Sequence, residues 1–175
     1  AGNDIITGNA SVNGLQGGAG KDTLSGGDGK DIINGYYTNQ SESSTEYDTA
    51  SYKYLTSKSV TIDLQAGTAV VDSNDTDTLI SIENAIGGSL ADIITGSADI
   101  NSLEGGAGND TFVSSLGNDY IYGGNVTGTT HTDSQTTGDM VDYSNSINSS
   151  NNLVVNLSTT SSDAAGNSYS SAYVR

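Results

Sequence analysis

The chain has 175 residues, 21 of them acidic and 5 basic, and a formal net charge of −16, so nucleic acid and anionic membrane are poor partners. With no cysteine and a single histidine, disulfides, thiolate metal sites and imidazole zinc clusters are excluded, which leaves oxygen as the abundant ligand atom. Leu, Ile, Val and Phe make up 34 of 175 residues, close to the level below which a highly charged chain stays disordered, so something besides apolar burial must hold it folded.

Residues 1–35 read as a first repeat array. Asp4, Asn13, Asp22 and Asp31 are spaced by nine, and each is followed two residues later by an aliphatic: Ile6, Leu15, Leu24 and Ile33. The opening "AGND" matches the second half of "GGAGND" at 105–110, so the chain is expected to be a piece of a longer protein. Residues 36–86 hold a Ser/Thr/Asn/Gly loop, about 36–46, and then connecting strands in "YDTASYKY" at 47–54 and "VTIDL" at 60–64. "DTLISIENAIGGS" at 77–89 leads into the second array, residues 87–124. There Asp92, Asn101, Asp110 and Asp119 precede Ile94, Leu103, Phe112 and Ile121, and sliding residues 4–35 onto 92–123 gives 18 identities in 32. Residues 125–175 repeat the second theme, with a loop at 125–137, "GDMVDYSN" at 138–145 and "LVVNL" at 153–157. A long repeat of 88 residues thus contains the short one. No segment has helical periodicity or caps, so no helix is expected. No apolar run approaches a membrane span or a signal-peptide core, so membrane insertion is not expected.

The stretch "GGAGKDTLSGGDGKDIING" at 17–35 carries the chemistry. Glycines at motif positions one, two and four allow positive φ and let loop carbonyls converge, and the aspartate at position six brings a charged oxygen to the same place. Positions seven to nine make a short strand whose middle residue points inward. Carbonyls and carboxylates at a flexible turn suit calcium, which takes six to eight oxygens, better than magnesium, which demands a near-ideal octahedron with retained water. Asp22 is at position six, whereas Asp28 is at the variable position three and is expected to face water.

"GGAGKDTLS", "GGDGKDIIN" and "GGAGNDTFV" resemble the RTX, haemolysin-type calcium-binding repeats, G-G-x-G-x-D-x-U-x. The resemblance implies an all-β fold, a right-handed parallel β-roll (β-solenoid) with several Ca2+ ions in its turns, here interrupted by polar loop insertions. Two nonapeptides would make one turn of the roll. Asp4 and Asp22 would then share one edge and Asn13 and Asp31 the other, with Asp92 paired to Asp110 and Asn101 to Asp119. It also implies carbonyl ligands at Gly18, Gly20, Gly27, Gly29, Gly106, Gly108 and Gly117. The family pattern weakens in "GNASVNGLQ" and "GSADINSLE", where asparagine replaces aspartate, and in "SSLGNDYIY", which lacks the glycine pair.

Asp48 and Asp139, two residues before Ala50 and Val141, are candidates to continue the metal ladder beyond each insertion. "DSNDTD" at 72–77 reads either as a further calcium loop or as a solvated acidic turn. The ten tyrosines read as strand residues in preference to a sugar-binding surface, and His131 as an exposed loop residue. Neither H-E-x-x-H nor G-x-S-x-G occurs, so the chain is not expected to be an enzyme. The expected role is a calcium-stiffened segment of an extracellular, type I-secreted adhesin or matrix protein, with cell-surface or matrix components or neighbouring copies of itself as partners. The alternatives are a folding and export module of a secreted protease, lipase or epimerase, and a subunit of a surface filament. Mixed outward residues such as Thr23, Ile32, Thr111 and Tyr120 argue against an ice-binding face.

Overall fold

The computed structural model describes residues 2–36, 46–113, 115, 119–127, 130–132, 140–142, 154–155, 161–162 and 168–169, and beyond Gly124 only the strand backbone. The nine-residue period appears as three-residue strands separated by six-residue turns. The first array supplies β1 (Ile5–Thr7), β2 (Gly14–Gln16), β3 (Thr23–Ser25) and β4 (Ile32–Asn34). The connecting segment supplies β5 (Thr49–Ser51), β6 (Thr61–Asp63), β7 (Thr68–Asp72), β8 (Asp75–Ile80) and β9 (Asn84–Ile86). The second array supplies β10 (Ile93–Thr95), β11 (Ser102–Gly106), β12 (Thr111–Val113) and β13 (Tyr120–Thr127). Among the described residues there is no helix, hence none long and apolar enough to cross a membrane.

Each strand pairs with the strand eighteen residues away within an array, such as Ile5 with Thr23 and Ile93 with Thr111, so one coil is two nonapeptides. The result is two facing sheets. The first runs β1-β3-β5-β9-β11-β13 with every neighbour parallel. The second runs β2-β4-β8 and β6-β10-β12 as parallel groups, joined by β7, which is antiparallel to both β6 and β8. The fold is therefore an all-β parallel roll, with one antiparallel strand at the junction between the arrays. Further along the chain, β14 (Thr130–Thr132) pairs antiparallel with β13, and β15 (Met140–Asp142) and β16 (Val154–Val155) add parallel to β12 and β13. His131 thus lies in a strand, paired with Val126, rather than in a loop.

The core follows from the strand period of two: with three residues per strand, one side chain points in and two point out. The inward series is Leu24, Ala50, Ala85, Leu103 and Ile121 in the first sheet and Ile33, Leu79, Ile62, Ile94 and Phe112 in the second, all buried. Each large aliphatic contributes about 1.5–3 kcal/mol on burial, but two inward side chains per eighteen residues make a thin core. The turns must supply the remaining cohesion.

Candidate metal centre

The glycines of the turns fall into two kinds. Those at positions two and four have left-handed backbones, with φ of 104° and 129° at Gly18 and Gly20, 97° and 114° at Gly27 and Gly29, and 103° and 123° at Gly106 and Gly108. All but Gly18 also pack directly on the preceding coil. A Cβ on Gly27 would strike the Asn9 backbone, and one on Gly108 would come within 2.5 Å of the Leu90 carbonyl carbon. The glycines at position one, Gly17, Gly26 and Gly105, lack positive φ, so the expectation that all three positions need it holds for two of them. Position one requires space instead. A Cβ on Gly17 would collide with Asp22 Oδ2 and lie 2.8 Å from the Gly35 carbonyl oxygen, and one on Gly105 would meet Asp110 Oδ2 and, at 2.7 Å, the Gly123 carbonyl oxygen. At Gly17 and Gly105 a carboxylate oxygen and a carbonyl from the next coil converge beside a bare Cα, whereas at Gly26 only the Asp31 carboxylate does.

Position-six side chains form two ladders along the edges of the roll. On the edge of the first sheet, the Asp4 amide donates to Asp22 Oδ1 (2.7 Å), the Asp22 amide to Asp48 Oδ1 (2.7 Å) and the Asp48 amide to Glu83 Oε2 (2.8 Å). The Asn101 side-chain amide then donates to the Glu83 carbonyl (2.7 Å) and its backbone amide to Asp119 Oδ1 (3.1 Å). On the other edge the Asn13 amide donates to Asp31 Oδ1 (2.7 Å) and the Asp31 amide to Asp77 Oδ1 (2.8 Å). Beyond β7 the ladder resumes, with the Val60 amide on Asp92 Oδ1 (2.8 Å) and the Asp92 amide on Asp110 Oδ1 (2.9 Å). The four pairings implied by the family resemblance, Asp4 with Asp22, Asn13 with Asp31, Asp92 with Asp110 and Asn101 with Asp119, are all adjacent rungs.

One oxygen of each carboxylate is thus spoken for, and the other decides the chemistry. Asp22 and Asp31 are 1% exposed, and their Oδ2 atoms have no hydrogen-bond partner. Burial pushes the carboxyl groups of Asp31, Asp92 and Asp119 upward, opposed by the amides of Asn13 for Asp31, Val60 and Gly88 for Asp92, and Asn101 for Asp119. In the two degenerate turns the asparagine oxygen is satisfied within its own loop: Asn13 Oδ1 accepts from the Asn9 amide (2.7 Å) and Asn101 Oδ1 from the Ser97 amide (2.6 Å).

The model of the RTX calcium-binding nonapeptide repeat matches the chain in four copies, over residues 13–36, 86–121 and 111–125. The chain carries RTX repeats. No curated protein matches it closely enough to count as a relative. RTX nonapeptides bind calcium through such turns, and the donors here fit that ion. The RTX turns of Asp22 and Asp31 each hold a buried, half-satisfied carboxylate facing a glycine cradle, joined at Asp22 by the Gly35 carbonyl, all hard oxygen. Among the described residues no three acidic or histidine side chains converge on one point.

Two ladder members had been missed in the sequence. Glu83 is one methylene longer than its neighbours and follows no glycine pair, yet "ENAIGG" at 83–88 has the acid-x-aliphatic-x-Gly-Gly order of an RTX strand and turn. Asp77 precedes Leu79 in the same way. Asp48, the suspected continuation, occupies its rung, with Gly35 as its position-one glycine: a Cβ there would strike Asp48 Oδ2 and the Ser81 carbonyl. Asp28 and Asp99 are exposed. Of the candidate tyrosines, Tyr52 is fully buried and donates to Asp77 Oδ2 (2.7 Å), and Tyr54 donates to the Gly27 carbonyl (2.6 Å), so these two are structural. Gly117, Ser114 and Asp139 lie outside the described residues.

Proposed function

We propose that the chain is a calcium-folded structural segment of an extracellular RTX adhesin or matrix protein, acting without catalysis and exported unfolded by a type I route. The observation that carries the calcium dependence is the pair of buried, unpartnered Oδ2 atoms of Asp22 and Asp31 in a chain of net charge −16. Leaving such oxygens uncompensated is costly. Calcium, when bound, supplies the positive charge that neutralises them and ties one coil to the next. In a cytosol poor in free calcium the carboxylates repel and the thin core is insufficient, which keeps the chain extended for export; millimolar calcium outside folds it. The adhesin reading rests on the near-duplication of an 88-residue unit, with strands of both units in the same two sheets, a construction suited to a long stalk or fibre.

Circular dichroism with calcium and with chelator tests this. A strand spectrum is expected to appear on adding calcium and vanish on chelation, and an unchanged β spectrum after chelation would falsify the reading.

A further inference from the structure

The β7–β8 hairpin carries chemistry that the repeat does not require. Its two-residue turn, Ser73-Asn74, places Asp75 at the start of β8, and alternation along β8 puts Asp75, Asp77 and Leu79 on the same buried face. Leu79 packs in the core and Asp77 is held by the Asp31 amide and the Tyr52 hydroxyl. Asp75 is different: it is 4% exposed, its carboxylate oxygens have no regular hydrogen-bond partner, and only the Gly29 amide and the more distant Lys58 charge oppose the effect of burial on it. The pairing of Ile32 with Thr78 sets Asp75 level with Gly29, so it faces the turn of the first array's last repeat, "GGDGKD" at 26–31. On that turn Asp31 Oδ2 is also unpartnered, while the Tyr54 hydroxyl occupies the Gly27 carbonyl. Lys58, the cation on this side, is drawn to Asp72 at 3.1 Å on the surface.

We propose that Asp75 is a calcium ligand supplied from outside the repeats, closing a site with Asp31 and the 26–31 turn where the hairpin stands in for the next nonapeptide. The turn has neighbours on both sides, the 8–13 turn below and the hairpin above, but no further glycine turn to contribute carbonyls. With the Gly27 carbonyl engaged by Tyr54, the hairpin brings two carboxylate oxygens where the repeat would have brought backbone ones. A buried carboxylate with no side-chain partner and only the Gly29 amide near it calls for a proton or a cation, and a site shared with Asp31 favours a divalent cation, because it neutralises both charges at once.

This inference rests on the calcium reading above, and the test separates the two. Calorimetric calcium titration of the whole chain is expected to show that Asp75→Asn binds one ion fewer, or binds one ion about tenfold or more weakly, while Asp99→Asn, an exposed control, titrates like the parent. In chelator, Asp75→Asn is expected to be at least as structured as the parent, since an uncompensated buried charge is gone. Parent-like titration of Asp75→Asn alongside a loss in Asp22→Ala overturns this site and leaves the calcium reading standing; a parent chain that takes up no calcium overturns both. If Asp75→Asn does not fold in calcium, terbium(III) gives the answer in the unsubstituted site. An ion beside Tyr54 is excited through that ring, so Tyr54→Phe lowers the sensitised emission, and unchanged emission overturns the proposal.

Discussion

Asp22 and Asp28 are six residues apart in one array and meet opposite surroundings. Asp22 is buried, with Oδ1 on the Asp4 amide and Oδ2 facing the Gly17 cradle; Asp28 is exposed at the variable position of its turn. Asp22→Ala removes a candidate ligand and a rung of the ladder, and is expected to weaken calcium binding by about tenfold or more. Asp28→Ala is expected to change it by no more than about twofold, since an exposed substitution away from such features has small effects. Equal affinities in calorimetric titration would mean that the ladder register has no bearing on the metal. Asn13 and Asn101 represent a third environment, in which a neutral amide oxygen already satisfied by its own loop needs no ion; replacing either is expected to loosen a turn and leave the calcium count alone.

Strands obey the same logic with one exception. Val60 occupies the rung before β6, where the other parallel strands of the arrays carry an acid or asparagine; its amide holds Asp92 and its side chain is 1% exposed. Its neighbour across the sheet is antiparallel β7, which presents no glycine turn. Val60→Asp would bury a carboxylate where no turn stacks to neutralise it, and is expected to cost about 3 kcal/mol or more, read by thermal or chemical denaturation in saturating calcium. A neutral outcome would show that β7 tolerates a charged rung. The parallel strands of both arrays were legible because the period of nine marks the inward residue, and the family resemblance, with two nonapeptides per coil, supplies the partner, as in Leu24 above Ile6. The antiparallel β7 was not, because the repeat falls silent after Asp31; its signals are ordinary ones, a turn at Gly67 with φ of 69° and the Ser73-Asn74 pair between β-branched runs. Glu83 and Asp77 escaped for the same reason: each keeps the strand half of the motif and has lost the glycine half. The space needed by Gly17, Gly26 and Gly105 could not be read from sequence, since a glycine that makes room and a glycine that turns look alike.

For the molecule as a whole, the ladders make protons and calcium alternative counter-charges. Burial pushes Asp77 up to about 6 from 3.8, and Asp31 and Asp75 move in the same direction. A carboxyl whose folded-state pKa is raised holds its proton more tightly when folded, so stability is greatest below the unfolded value and is lost as pH rises from about 4 to about 6. In chelator, the chain is therefore expected to show more strand signal at pH 5, above its isoelectric point near 4.1, than at pH 7.5. With saturating calcium the order reverses, because protons compete for the ligands. Circular dichroism in the four conditions checks this, and a chelated chain that gains structure steadily with pH contradicts it. The direction of the backbone hydrogen bonds has a further, mechanical consequence. They run from coil to coil along the roll, so a pull on that axis loads one rung at a time. Each eighteen-residue coil that peels away trades a rise of about 4.8 Å for about 60 Å of extended chain. A stalk built this way would lengthen in steps, with the edge ladders setting the force at which each step yields.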